Sequence, residues 1–514
     1  MKLHELLQGI EVLEQNADPE LELTGVSYDS RSTAPGELFA AISGYATDGH
    51  RFIPAALARG AACVLCEHDM PEHTPWVRVR DARAALAQLG CNWFGHPAER
   101  LCMIGVTGTN GKTTVSNMLS GLLESEGRHV VTNRTGSNIV SGIATALLRG
   151  CNLAGKVTKY DIAVLEVDER SSLRIYPYVQ PDFVAITNLC RDSTMRHAHP
   201  DFIASIISQA MPEKTTLILN ADDLISDTVA PQNKRVYFGI DRMPGDVTDC
   251  VNLLNDRQIC PKCSAKLQYT YRRYHHIGHA VCPACGFHSP DAQYLAQNVD
   301  IAGGTLQLRE GEDVREYKLI SDSIFNIYNM VTVIAVLRQL GYSEEKVHEM
   351  MAHAAVPSTR HGDHQVGGFH IITQMSKGLN AFATSRAFDY IAGLPGQKEL
   401  FLMINDQGCE KRWSENVCWL YDTDFEFLNR DDVVQIVCTG KRGLDYKLRM
   451  LLAGIPAERI CYEPDDLKAL ELLQFRPGDE ICLLHDVEVD QTERIYNRLA
   501  ELAEAHSKHE EVQA

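Results

Sequence analysis

The chain has 514 residues, more than one hydrophobic core usually organises, so two to four domains are expected. Its 45% hydrophobic and 23% charged residues are those of an ordinary globular protein, and its formal net charge of -19 argues against a nucleic-acid polyanion as partner, which would need an excess of Lys and Arg. The amino terminus carries Glu5 early and lacks a long apolar run, and no stretch reaches the ~20 apolar residues of a membrane span, so a cytoplasmic chain is expected, with its cysteines mostly reduced.

Residues 1–97 read as a first small domain, with turn signals at Pro35-Gly36 and Asp48-Gly49 and a short strand over 37–42. A central domain over 98–356 follows. Leu101-Cys102-Met103-Ile104 reads as a buried parallel strand, and Val115, Met118, Leu119, Leu122 and Leu123 repeat at helical spacing until Gly127 stops the helix. Between them stands Gly105-Val-Thr-Gly108-Thr109-Asn110-Gly111-Lys112-Thr113-Thr114. Glycines at 108 and 111 allow a tight loop whose backbone N–H groups surround a phosphate chain, and the helix N-terminus behind it favours an anion. Lys112 supplies a point charge for the β- and γ-phosphates, and the Thr113 hydroxyl is a ligand for Mg²⁺. The pattern points to a nucleotide polyphosphate.

Further strands are expected over 161–167, 183–187, 215–219 and 235–238, alternating with helices, the signature of a parallel sheet covered on both faces. Glu166, where the first of these strands ends, is positioned to be a second Mg²⁺ ligand. Asn220-Ala-Asp222-Asp223 forms a polar cluster at another strand end, readable as site or as plain turn. A polar insertion over 250–292 carries Cys260-Pro-Lys-Cys263 and Cys282-Pro-Ala-Cys285, two identical spacings that fit a closed, structural Zn²⁺ site, a zinc ribbon. His275, His276 and His279 lie between the knuckles and are expected to be solvated or packed beside Tyr271 and Tyr274. A helix over 324–340 closes the domain and Pro357 marks a linker. The third domain, 357–514, repeats the alternation with strands over 369–373, 400–405, 433–438, 459–462 and 480–484 and helices over 444–453, 467–473 and 491–505, a second, Rossmann-like sheet. Residues 506–514 read as a frayed acidic tail. The fold class expected is α/β in three domains.

Five segments in order carry a family resemblance. Gly108-Thr-Asn-Gly-Lys-Thr-Thr114, Thr187-Asn188-Leu189, Asn220-x-Asp222-Asp223, Phe325-Asn326-x-Tyr328-Asn329 and Arg360 resemble the successive motifs of the Mur ligases, ATP-dependent amide-bond synthetases of peptidoglycan precursors. The first domain, through Asp29-Ser30-Arg31, Pro35-Gly36-Glu-Leu-Phe39 and Asp48-Gly49-His50, resembles the UDP-substrate domain of the MurE branch. From the P-loop onward, Asn133-Arg134-x-Gly136-x-Asn138, Glu166-Val-Asp-Glu169, Tyr237-Phe-Gly-Ile-Asp241, the four cysteines and Trp419-Leu-Tyr-Asp422-x-Asp424-Phe-Glu426 resemble the MurT branch, the synthetase subunit of lipid II isoglutaminyl synthase, which works with the glutaminase GatD. The chain departs from the first branch in having no D-N-P-R signature, and from the second in having Asn416-Val-Cys-Trp419 where an Asp precedes Val-Ser-Trp.

What the resemblance implies is a carboxylate activated by ATP as an acyl phosphate and then attacked by nitrogen. Lys112, Glu166, Lys377 and Asp422 are implied in catalysis, with Thr113 and Glu166 on Mg²⁺. Gly108, Thr109, Asn110, Gly111, Lys112, Thr113, Thr114, Asn220, Asp223, Asn326, Asn329 and Arg360 are implied to hold the nucleotide, and Ser30, Arg31, Asp48, His50, Asn133 and Arg134 to bind substrate. The substrate that the resemblance implies is a UDP-linked or lipid-linked muramyl peptide. MurT-like amidation of D-glutamate, with a GatD-like glutaminase partner, leads; the alternatives are MurE-like addition of an amino acid to a UDP-MurNAc-peptide and a nucleotide-binding scaffold without turnover.

Overall fold

A computed structural model describes residues 1–43, 48–68, 70, 73–95, 101–134, 137–149, 160–191, 199–354, 361–376, 380–404, 417–485 and 489–513. The boundaries expected near 97 and 357 lie outside these residues. Cα proximity divides the chain into two compact units, the first comprising Met1–Ile104, Gly127–Leu165 and Arg174–Pro181, the second the remainder.

In the first unit, five strands lie in the order Val12–Gln15, Trp76–Val79, Cys63–Cys66, Glu37–Ala40, Gly25–Ser27, with the first pair antiparallel and the others parallel. Leu38, Ala40, Cys63, Leu65, Val77 and Val79 point to one side and pack with Leu3, Leu6 and Leu89. Phe39, Val64, Cys66 and Trp76 point to the other, so period-2 alternation builds a core on each face. Asp81 accepts hydrogen bonds from Arg83 and Ala84 N–H and starts the helix Ala82–Trp93. Elsewhere in this unit Val130–Thr132 pairs parallel to the strand beginning at Ile162.

The second unit holds most of the central sheet and the whole carboxyl-terminal sheet. Phe183–Ile186, Thr216–Asn220 and Arg235–Ile240 pair in parallel, as the alternation predicts, and Tyr294–Asp300, not expected from the sequence, adds a further parallel strand. Beyond them the sheet turns antiparallel through Thr305–Glu310 and Asp313–Lys318, an extension not expected from the sequence. Gly304 and Gly311, at φ +69° and +62°, supply the left-handed backbone that these tight reversals need. The helix Ile324–Gln339, within one residue of its expected span, is buried along Ile327–Leu337 and packs on the helix Lys112–Ser125.

The carboxyl-terminal sheet runs His361–Val366, Phe369–Met375, Glu480–His485, Lys398–Met403, Val433–Thr439, Ile460–Glu463, parallel except at its first pair. Leu400, Leu402, Ile436 and Leu484 face Phe388, Tyr446 and Met450, while Phe401, Met403, Val437 and Leu483 face Leu470, Ile495 and Leu499. Adjacent apolar residues thus serve opposite faces, which is why these strands read as continuous apolar runs. The tail is a correction. The last helix spans Val489–Gln513, because no Gly or Pro interrupts it and the His506 ring stacks on Phe475 at 4.4 Å. The expected helix over 467–473 is instead a turn of α-helix, Asp466–Ala469, tightening into a 3-10 turn, Leu470–Leu472.

Candidate active site

Strand Cys102–Thr107 ends in the glycine loop, and helix Lys112–Ser125 starts at Gly111, whose φ of +88° favours a residue without a side chain. A Cβ on Gly108, at φ +123°, would stand 2.4 Å from Thr187 Oγ1 and 2.8 Å from the Asn188 carbonyl. No side chain caps the helix, so the N–H groups of its first turn are left to an anion. The loop is braced from the neighbouring strand end. Thr109 N–H donates to Asn188 O at 2.8 Å, Asn110 N–H to Asn188 Oδ1 at 3.2 Å, and Thr187 Oγ1 to Asn110 O at 2.5 Å. Thr109 Oγ1 exchanges hydrogen bonds with the Cys190 backbone at 3.0 and 2.9 Å. Thr109 and Asn110, expected to contact nucleotide, therefore direct their amides at Asn188.

Lys112 is buried and its Nζ donates to Gly108 O and to Glu169 Oε1, each at 2.6 Å. Burial alone would discharge this lysine, but Glu169, helped by Glu166 and Asp168, outweighs it and holds the ammonium above the ordinary lysine range. Glu169 is pushed up by its own burial and held back by Lys112, whose ammonium lies 2.6 Å away. Glu166 is half-buried at the end of the strand Ile162–Glu166, and Thr113 is half-buried on the first helical turn. Three carboxylates thus gather on the side of the lysine, an anionic cluster with the charge to attract a divalent cation. The sequence named Glu169 only as the end of the Glu166-Val-Asp-Glu169 segment and gave it no role; its partner Lys112 is what the fold supplies.

Asn220, Asp222 and Asp223 are buried. Asn220 Nδ2 donates to Thr187 O at 3.3 Å and its Oδ1 accepts from Asp222 N–H at 3.0 Å. Asp223 accepts from Leu189 N–H at 2.7 Å, Ile225 N–H at 2.9 Å, the Ser226 hydroxyl, and His276 Nε2 at 3.2 Å. Burial raises its pKa, but His276, Ser226 and the Leu189 amide more than offset this and hold it below the usual carboxylate range. Asp223 is thus a strut of the loop's support, with its oxygens already engaged. Asn329 Nδ2 donates to Asn326 Oδ1 at 3.2 Å, and Asn329 Oδ1 lies 2.2 Å from where a Gly111 Cβ would be, so Asn329 sits against the loop with Asn326 behind it.

Of the insertion's histidines, His275 packs edge-on beside Tyr274 at 6.5 Å, as one of the alternatives held, and only His276 departs from the expectation. His275 and His276 are buried: His275 stacks on Phe382 at 4.3 Å, while His276 meets Asp223. His279 stacks on Tyr271 at 5.8 Å, as one of the alternatives held. Within the hairpin Gln268–Tyr274/Ile277–Val281, Arg273 reaches Asp222 at 3.4 Å, Asp246 at 2.8 Å and the Tyr328 hydroxyl. The four cysteines come together. Their sulfurs lie within 4.8 Å of one another, with Cys260–Cys285 at 3.6 Å and Cys263–Cys282 at 3.4 Å. Both knuckles fold alike, Cys260 N–H donating to Ala265 O and Cys282 N–H to Phe287 O, with Ser264 and Gly286 at positive φ. Burial opposes ionisation of Cys282, yet the amides of Cys285 and Ala284 bring its thiol down to about 7.

In the first unit Ser30 is buried, and Arg31, largely exposed, forks onto Asp29 at 3.0 and 2.8 Å, which with the Arg31 amide lowers the Asp29 pKa to about 2. His50 is locked between Asp48 Oδ1 at 2.6 Å and the Glu67 amide at 2.9 Å. Asn133 is buried and donates to Ser137 O at 3.2 Å; with Ser141, Thr145 and Arg149 it lines a cavity of about 230 Å³. Arg134, its neighbour, is exposed. In the second unit Asp422 lies 3.6 Å from Arg191, which also pairs with Asp256 at 2.7 Å; burial raises the Asp422 pKa against that arginine. Arg360 and Lys377 lie outside the described residues, as does Asn416.

Three family models match in the order of the domains: Mur ligase family, catalytic domain, over residues 22–93; Mur ligase middle domain over 106–248; and MurT ligase C-terminal over 379–486. The chain is 29% identical over 369 residues, 71% of its length and 80% of the relative's, to the MurT subunit of lipid II isoglutaminyl synthase (glutamine-hydrolyzing) from Staphylococcus aureus (strain COL). The chain is homologous to MurT and to the Mur ligases. It is accordingly an ATP-dependent ligase that forms C–N bonds. A second Mur ligase relative, UDP-N-acetylmuramoyl-L-alanyl-D-glutamate–2,6-diaminopimelate ligase of Alkaliphilus metalliredigens, is 41% identical over 132 residues, 25% of this chain and 27% of that one. MurF of Acinetobacter baumannii shares the Mur ligase fold, with TM-score 0.62 at 18% identity over 97% of this chain and 98% of that one.

Proposed function

We propose that this ligase acts on peptidoglycan precursors, using ATP to convert a muramyl-peptide carboxylate into an acyl phosphate that a nitrogen nucleophile then opens, with amidation of D-glutamate, as in MurT, as the reaction. The observation that carries the reading is the braced glycine loop with Lys112 fixed beneath it by Gly108 O and Glu169. A carboxylate oxygen is a poor leaving group, and phosphorylation removes that obstacle. Lys112 neutralises charge on the transferring phosphoryl group, where fixed donors count most. Thr113 and Glu166 are the residues to hold Mg²⁺, which supplies further neutralisation when bound, and Asn326 and Asn329 flank the loop on the side of the nucleotide. Arg360 and Lys377 complete the site from the carboxyl-terminal domain in this reading, and Ser30, Arg31, Asp48, His50, Asn133 and Arg134 hold the muramyl substrate.

The amidation reading rests on the 29% identity to MurT and on the MurT carboxyl-terminal match. It calls for a glutaminase partner of the GatD type. The helix Gly443–Leu452 supports one: Leu444, Leu448, Leu451 and Leu452 are exposed on it, a larger apolar stripe than a solitary surface helix normally leaves in water. The cysteine cluster fits structural Zn²⁺, because Zn–S bonds of about 2.3 Å set tetrahedral sulfurs about 3.8 Å apart, close to the separations found.

The 41% identity to the diaminopimelate ligase favours a second reading, addition of an amino acid to a UDP-linked muramyl peptide. An assay that follows ADP release with UDP-linked or lipid-linked muramyl dipeptide and either ammonia, glutamine or single amino acids separates the two. Turnover with ammonia but not with amino acids supports amidation; the reverse pattern overturns it.

A further inference from the structure

The cysteine-bearing insertion stands outside the glycine loop in sequence, yet two hydrogen-bonded routes join them. On the first, His276 meets Asp223 at 3.2 Å, Asp223 takes the Leu189 amide at 2.7 Å, and the adjoining Asn188 holds the amides of Thr109 and Asn110. On the second, Arg273 reaches Asp222 and the Tyr328 hydroxyl, Tyr328 donates to Asp222 at 2.6 Å, and the next residue, Asn329, abuts Gly111. Leu224, directly after the two carboxylates, packs in one cluster with Cys260, Leu267, Tyr269, Ala280 and Cys282. All the linking side chains are buried, so each bond lost leaves a polar group without water to replace its partner.

We propose that His276 and Arg273 are positioning residues for nucleotide binding: the insertion buttresses the phosphate loop from behind, through Asp223 and Asp222. The inference rests on reading the loop as the nucleotide site. Neither side chain touches the reacting groups, so their loss acts on binding geometry and leaves the phosphoryl-transfer chemistry intact.

The test titrates the full-length, metal-loaded protein with a fluorescent ATP analogue and Mg²⁺, alongside KM and kcat for ATP and a thermal melt. His276→Ala is expected to raise the Kd and the KM for ATP about tenfold with kcat within about twofold, a change in the range for networks that support a site. His276→Gln, which returns an N–H donor at similar reach, restores most of the affinity. Thr270→Ala, on the same hairpin but bonded only to His279 O among these groups, leaves the Kd unchanged. Arg273→Gln reads the second route and serves if His276→Ala does not fold. Wild-type Kd in folded His276→Ala and Arg273→Gln overturns the proposal, as does an equal loss in His276→Gln. A wild-type protein without affinity for the analogue overturns the nucleotide-site reading itself, and this inference with it.

Discussion

Lys112 Nζ and Glu169 Oε1 lie 2.6 Å apart with 10% and 8% of their side chains in solvent, so the lysine of the glycine loop is held by a carboxylate from a different strand end. Lys112→Ala is expected to cut ADP formation by roughly 10³-fold or more, since in the proposed reaction the charge it removes neutralises the transferring phosphoryl group. It also leaves Glu169 buried and unpaired, a loss of roughly 3–5 kcal/mol. Adding Glu169→Gln to Lys112→Met should recover most of that stability in denaturant titrations and none of the turnover. Turnover surviving in Lys112→Ala would remove Lys112 from catalysis.

Gly108→Ala tests the loop's geometry. Its Cβ would meet Thr187 Oγ1 at 2.4 Å and the Asn188 carbonyl at 2.8 Å in a backbone conformation with φ +123°, a strain of roughly 1–3 kcal/mol shared by the loop and the strand end that braces it. The expected outcome is a stable protein with nucleotide affinity weakened about tenfold or more, read by titration with the ATP analogue; unchanged affinity would mean that the loop does not cradle phosphate.

Asp223 gives a pH dependence. Its folded pKa is below its unfolded value of about 3.9, so the charged form stabilises the fold above that value and the contribution is lost as pH falls through the folded pKa. The difference in urea midpoint between wild type and Asp223→Asn should stay constant from pH 7 to about 5 and narrow below about 4. A gap that widens in acid would contradict the assignment of Asp223 as an ionised strut.

One zinc per chain is expected by elemental analysis, held by Cys260, Cys263, Cys282 and Cys285. Changes around zinc ligands cost ~10–100-fold in affinity, so loss of a ligand in Cys282→Ser should exceed about 100-fold, with a lower melting temperature. A protein purified without zinc that neither takes it up nor gains stability from it would exclude the structural site.

Asp422 separates two sources of nitrogen. If it serves a glutaminase partner, Asp422→Ala should abolish glutamine-supported turnover in the complex and leave ammonia-supported turnover within about twofold, because removal of an acid–base participant costs ~10²–10⁴-fold only in the step it serves. Equal loss with both donors would instead tie Asp422 to the ligase reaction or to its contact with Arg191.

Much of this was legible in the sequence because residue type and spacing carried the physics. Gly108, Gly111 and Lys112 announced a tight loop at the head of a helix, the paired C-x2-C turns announced four converging sulfurs, and the strands of the carboxyl-terminal sheet stood out as apolar runs. The partners across long separations were not legible. His276 and Asp223 are 53 residues apart and Lys112 and Glu169 are 57 apart, and only the packed chain brings them together. Asp223 looked like a ligand-facing acid because an acidic strand end reads the same whether it faces solvent or a buried histidine. The antiparallel edge over residues 294–318 was missed because its strands mix polar and apolar residues, as an edge half in water must.

Asp222 and Asp223 also set a limit on how this enzyme can be trimmed. Excising the hairpin that carries Arg273 and His276 to make a shorter chain would take the guanidinium from Asp222 and the imidazole from Asp223 and uncover both, so a miniaturised version would have to redesign the two acids together with the loop support they provide.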